Sequence, residues 1–64
     1  MISDIGRAVR TTRRAYNLTQ EQLAELAGTS TRTIREIEHG SGSTSIGTVA
    51  AVLGALGLTL RADR

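Results

Sequence analysis

Leu18-Thr19-Gln20-Glu21-Gln22-Leu23-Ala24-Glu25-Leu26-Ala27-Gly28, followed at once by Thr29-Ser30-Thr31-Arg32-Thr33-Ile34-Arg35-Glu36-Ile37-Glu38-His39-Gly40, spells a helix, a short turn and a second helix. Thr19 is placed to cap the first helix, and Gln22 three residues on completes a capping box. Leu18, just before the cap, faces Leu23 as a hydrophobic staple. Leu23, Ala24, Leu26 and Ala27 supply an apolar stripe, and Gly28 offers the left-handed residue that ends the helix. Ser30 caps the next helix, whose buried side is Ile34 and Ile37 and whose outer side is Thr31, Arg32, Arg35 and Glu36. Two short helices so closely coupled are the unit with which a small domain inserts one helix end into the DNA major groove. A polar outer face is also what an ordinary solvated helix shows. The tight turn, the small Ala24 and the hydrogen-bonding residues gathered at the second helix's N-terminus favour DNA.

Upstream, a helix capped by Ser3 or Asp4 and running to about Tyr16 is amphipathic. At about 100° per residue, Ile5, Ala8, Val9, Thr12 and Tyr16 fall on one side and Arg7, Arg10 and Arg14 on the other. Residues 1–16 carry four arginines against Asp4, whereas residues 17–40 are net acidic, so the overall charge of +2 is concentrated on this first helix. Its basic stripe is either a solvated face or, through Arg10 and Arg14, a border to the DNA backbone. Arg13 sits at the edge of the apolar side, as Glu38 does on the reading helix, so the two are placed to meet as a partly buried ion pair.

Downstream, Ser41-Gly42-Ser43-Thr44 is a small polar loop that either connects or also touches phosphate through Ser41 and Ser43. Ser45 caps a last helix with Ile46, Val49, Val52, Leu53 and Leu56 as its core stripe. Gly47, Ala51 and Gly54 form a second stripe almost without side chains. Helical glycines cost roughly 0.8–1.0 kcal/mol each relative to alanine, which points to close approach of another helix or to simple tolerance. Gly57 ends the helix, and Leu58-Thr59-Leu60-Arg61 alternates as a half-buried strand does. A lone strand leaves its backbone unpaired unless the same segment of a second copy lies alongside, so residues 58–61 are expected to form a dimer seam. A disordered tail or a fifth helix is the other reading.

Sixty-four residues make one domain, 1–64, small enough to be marginal alone, with no cysteine for disulfides and His39 as the single histidine. No metal site and no cofactor are expected. No nucleophile has an evident base beside it, so the chain does not read as an enzyme. No secretion signal opens it and no apolar run approaches the roughly 20 residues of a membrane span, so a cytoplasmic protein with no membrane partner is expected.

Leu18-Thr19-Gln20-Glu21-Gln22-Leu23-Ala24, Gly28-Thr29-Ser30, Thr33-Ile34, Ile37-Glu38, Ser45-Ile46, Thr48-Val49 and Ala55-Leu56-Gly57, in this order, resemble the Cro/C1-type (XRE) helix-turn-helix family. Ending in Leu58-Thr59-Leu60-Arg61 directly after the last helix resembles, within that family, the HipB-type antitoxins. The resemblance implies a mainly α, four-helix, lambda repressor-like fold with a C-terminal strand paired across a homodimer. It also implies a repressor of a palindromic operator and a HipA-like kinase toxin as partner. By position, Ser30, Thr31 and Arg32 match base-reading residues, with Arg35 and Glu36 one turn further along. Gln20 matches a phosphate anchor that supports the reading helix, and Arg13 and Glu38 match a buried ion pair. Further phosphate contacts are expected from Arg10, Arg14, Thr29, Thr33, Ser41 and Ser43. Thr31 stands where the family commonly has glutamine, and Thr44 where proline is usual. Arg32 suits a guanine through O6 and N7, and Glu36 either accepts from cytosine or tethers Arg32. The rival from another class is a protein-interaction antitoxin or adaptor, suggested by the modest charge and by two glutamates on the reading helix.

Overall fold

The capping signals divide the chain into α1 (Ile2–Ala15), α2 (Gln20–Ala27), α3 (Thr31–His39) and α4 (Ile46–Ala55). The computed structural model describes residues 2–40 and 44–58. Thr19 closes the capping box of α2: its Oγ1 accepts from the Gln22 amide at 3.0 Å, and the Gln22 side chain accepts from the Thr19 amide at 2.8 Å. Ser30 and Ser45 cap α3 and α4 by accepting from the amides of Thr33 and Thr48 at 3.1 and 3.2 Å. Helix α1 begins at Ile2, ahead of both expected caps, Ser3 and Asp4, which leaves Asp4 inside its first turn, where a carboxylate complements the helix dipole.

Three helices end by one device. The amides of Leu18, Thr29 and Leu58 reach back five residues to the carbonyls of Arg13, Ala24 and Leu53, at 3.0, 2.9 and 2.8 Å. The residue before each, Asn17, Gly28 or Gly57, is left-handed, with φ of 59°, 72° and 77°. This six-to-one closure satisfies carbonyls that would otherwise be orphaned, and it turns the next residue back onto the helix. Leu18 and Leu58 use that turn to pack, half-buried, against the core.

The core consists of Val9 from α1, Leu23 and Ala24 from α2, Ile34 and Ile37 from α3, and Val52, Leu53 and Leu56 around α4. Helix α3 is packed by both α1 and α2, and α4 lies against α2. The seat of α1 on α3 depends on Gly6. A Cβ at that position would stand 2.3 Å from the Ile37 carbonyl oxygen and 3.0 Å from that of Glu38. So close an approach turns α1 toward Gly6 and Arg13 and away from Ala8, which is exposed although the periodicity placed it inside.

Other apolar residues also depart from their stripes. Tyr16 is 59% exposed, because α1 stops at Ala15 and the helical projection no longer applies to it. Leu26 and Ile46 are 62% and 72% exposed; Ile46 is the first residue of α4, on the margin of its buried side. Gly47 and Gly54 line an exposed face of α4, and a Cβ at Gly54 would meet nothing within 4 Å, so among the described residues no helix approaches there. Among the described residues there is no strand. Leu58, expected to open one, spends its amide on closing α4 and its side chain on the core, while Thr59, Leu60 and Arg61 lie outside the described residues.

Gly6→Ala tests the α1–α3 contact against helix propensity, which alone would favour alanine by about 1 kcal/mol. The variant is expected to lose roughly 1–3 kcal/mol through overpacking against backbone, read as a lowered thermal midpoint by circular dichroism. A raised midpoint would show that α1 can lift off α3 at no cost.

Candidate nucleic-acid interface

A helix of nine residues has no stability of its own, so the position of α3 is set by what it packs on. Ile34 and Ile37 fix its inner edge. Its rotation is fixed by Glu38, whose carboxylate meets two other helices. Arg13 Nε donates to Glu38 Oε2 at 2.6 Å and Arg13 Nη2 to Glu38 Oε1 at 3.1 Å. Gln20 Nε2, from the first residue of α2, donates to the same Oε1 at 3.2 Å. Arg13 Nη1 reaches the Leu18 carbonyl at 2.8 Å, which ties in the turn between α1 and α2. The Arg13 and Glu38 side chains are 12% and 5% exposed, so this forked pair works where solvent screens it little.

With the inner side so fixed, the start of α3 faces outward. The Arg32 side chain is 84% exposed, and its Nε lies 3.3 Å from Glu36 Oε2 one turn on, so in the free protein Glu36 tethers Arg32. Exposed helical pairs of this kind are worth only about 0.3–0.5 kcal/mol, so the guanidinium is held lightly. Thr31, beside it, is half-buried. Ser30 is exposed, but its hydroxyl caps the helix and bonds Thr33 Oγ1 at 2.9 Å, so both hydroxyls already have a partner. Thr29 is half-buried in the turn between α2 and α3.

Arg10, Arg13, Gln20, Arg35, Glu38 and His39 line an open cavity of about 260 Å³ where α1, α3 and the start of α2 meet. It gathers Arg10 and Gln20, expected at the backbone, with Arg35, expected at the bases. His39 had no signal beyond being the single histidine, and Gly6 none at all. Arg14 is exposed on α1 and is not among the cavity residues. Ser41 and Ser43 lie outside the described residues. Among the described residues, no helix is long and apolar enough to cross a membrane.

Residues 9–62 match the Helix-turn-helix family model. The "Uncharacterized HTH-type transcriptional regulator y4mF" of Sinorhizobium fredii is 41% identical over 58 residues, which is 91% of this chain and 76% of that protein. The chain belongs to the XRE-type helix-turn-helix family of DNA-binding transcriptional regulators.

Glu38→Gln keeps a side chain of the same shape but leaves the Arg13 charge buried without a counter-ion. Breaking such a pair costs about 3–5 kcal/mol. At roughly 4–8 °C per kcal/mol in a domain of this size, the thermal midpoint is expected to fall by more than about 10 °C. An unchanged midpoint would mean that the pair does not hold α3.

Proposed function

We propose that this helix-turn-helix chain is a sequence-specific repressor that binds a palindromic operator as a homodimer in the cytoplasm, and that it is the antitoxin and autoregulator of an operon shared with a HipA-like kinase toxin. The observation that carries the DNA-binding part is the placing of α3: one side is locked by Glu38 to α1 and α2, and the opposite side presents an 84%-exposed Arg32 at the N-terminal turn. Repression then needs position and no chemistry. Two reading helices related by the dimer axis enter successive major grooves, with half-site centres about 10–10.5 base pairs apart, and occlude transcription. Ser30, Thr31, Arg32 and Glu36 face the base edges in this reading, with Arg35 one turn further along, and Ser30 also sets the turn that aims them. Thr29, Thr33, Gln20, Arg10 and Arg14 border the backbone, joined by Ser41 and Ser43 of the following loop. The antitoxin role is supported by the resemblance of the segment Leu58-Thr59-Leu60-Arg61 to that of the HipB-type antitoxins.

The free-state Arg32–Glu36 pair fits this reading, because a weak exposed tether holds Arg32 near its working position and exchanges readily for guanine O6 and N7. One observation favours the protein-interaction reading instead: α4 carries no charged residue and exposes Gly47, Ala50, Ala51 and Gly54 to solvent. Salt separates the two, since binding that neutralises phosphates weakens steeply with ionic strength.

The operator is obtained by selecting bound duplexes from a random-sequence pool with the wild-type protein. On that operator, Arg32→Ala is expected to relax preference at one base pair per half-site, costing roughly 1–3 kcal/mol there. Equal weakening on every variant site would make Arg32 a phosphate contact. Removal of residues 59–64, which spares the core contact of Leu58, is expected to abolish the dimer in sedimentation and operator affinity with it. A truncated protein that stays dimeric with full affinity would move the seam to the exposed face of α4.

A further inference from the structure

We infer that the cavity between α1 and the C-terminal half of α3 is a phosphate site in which Arg10 and Arg35 together grip one backbone phosphate, so that Arg35 positions the domain and does not read bases. This rests on the DNA-binding reading above and assigns Arg35 a different role within it.

The charge around the cavity is unbalanced. Three of its six lining residues are arginines, and Glu38 is the one acid among them. Both Glu38 oxygens are taken, Oε2 by Arg13 and Oε1 by Arg13 and Gln20, so that carboxylate is committed to holding the helices together. Arg13 is equally committed, with its third donor on the Leu18 carbonyl. Arg10 and Arg35, from facing helices, have no ion pair or side-chain hydrogen bond among the described residues. Two unpaired guanidinium groups lining one concavity repel each other, and an anion between them turns that repulsion into two attractions.

Several features make a phosphate the fitting anion. Planar guanidinium forks match its oxygens in bidentate fashion. The cavity of about 260 Å³ is open, so a group attached to a long chain can enter without threading. Helix α2 begins at Gln20 on its rim and brings the positive end of its dipole. His39 adds a ring nitrogen donor on the same wall. Arg35 stands one turn from Arg32 and one turn from Glu38, on the border between the outward face and the anchored face. Its place among the cavity residues puts it on the α1 side of that border, away from the Arg32–Glu36 pair.

The test has two arms, each on the full chain, with Arg35→Ala first shown to keep the wild-type thermal midpoint. In the first, inorganic phosphate is titrated at constant ionic strength while the arginine Nε–Hε signals are followed by NMR. The Arg10 and Arg35 signals are expected to move together and saturate while those of Arg7 and Arg14 do not, and Arg35→Ala is expected to abolish saturation at Arg10. Equal, non-saturating shifts at all four arginines would overturn the site. In the second arm, binding to the selected operator and to its single-base variants is measured across salt concentrations. Arg35→Ala is expected to weaken all of them equally, by about tenfold, and to lower the slope of log affinity against log salt by up to about 0.9 per half-site, or about 1.8 for the dimer. A loss confined to one base pair with an unchanged slope would overturn the inference by making Arg35 a base reader. Saturation by phosphate with operator affinity untouched would overturn the backbone assignment and leave a site for a free phosphate ester. If the wild type selects no duplex while phosphate still saturates Arg10 and Arg35, the DNA-binding reading fails and the anion site stands.

Discussion

The carboxylate of Glu38 is the point on which the rest of the molecule depends. It belongs to the last turn of α3, yet its partners come from α1 and from the first residue of α2, and through Arg13 it is coupled to the turn between those two helices. A chain of 64 residues buries only about 60% of its unfolded surface, so its core has little apolar area with which to define how each helix is rotated. Apolar contacts are tolerant of rotation, whereas a forked guanidinium–carboxylate pair is directional. The pair therefore does what more core would do in a larger domain: it selects one rotation of α3 and hence one outward face.

Gly6 and Glu38 act as one device. Gly6 lets the backbone of α1 approach the carbonyls of Ile37 and Glu38, and Arg13, two turns along the same side of α1, then meets the Glu38 side chain. The interactions on the outward face are of another order. Arg32 and Glu36 are joined at 3.3 Å in open solvent, an interaction worth tenths of a kcal/mol, against the several kcal/mol at stake in the buried pair. Strong, screened-off contacts set the frame, and weak, exchangeable ones are left where a ligand must displace them.

Much of this was legible in the sequence, for identifiable reasons. Capping is local chemistry, so Thr19, Ser30, Ser45, Gly28 and Gly57 announced their helix ends. The Arg13–Glu38 pair was readable because two charges stood at the edges of apolar stripes. What periodicity could not give was the consequence of close approach. Gly6 reads as a flaw in a helix until α3 is seen against it, and the rotation it permits exposes Ala8. Nor does alternation reveal that the Leu58 amide is already spent on closing α4. The cavity escaped sequence reasoning because Arg10, Arg35 and His39 come together only through the crossing of α1 and α3.

Whether the fold serves to hold the start of α3 out toward DNA is decided by mapping backbone amide NMR shifts as duplex DNA is added to the wild-type protein. The largest perturbations are expected on Thr29 to Glu36, with a second group at Gln20 and along the Arg10 side of α1. Perturbations centred on the exposed Gly47, Ala50, Ala51 and Gly54 face of α4, or none beyond those produced by salt alone, would contradict it.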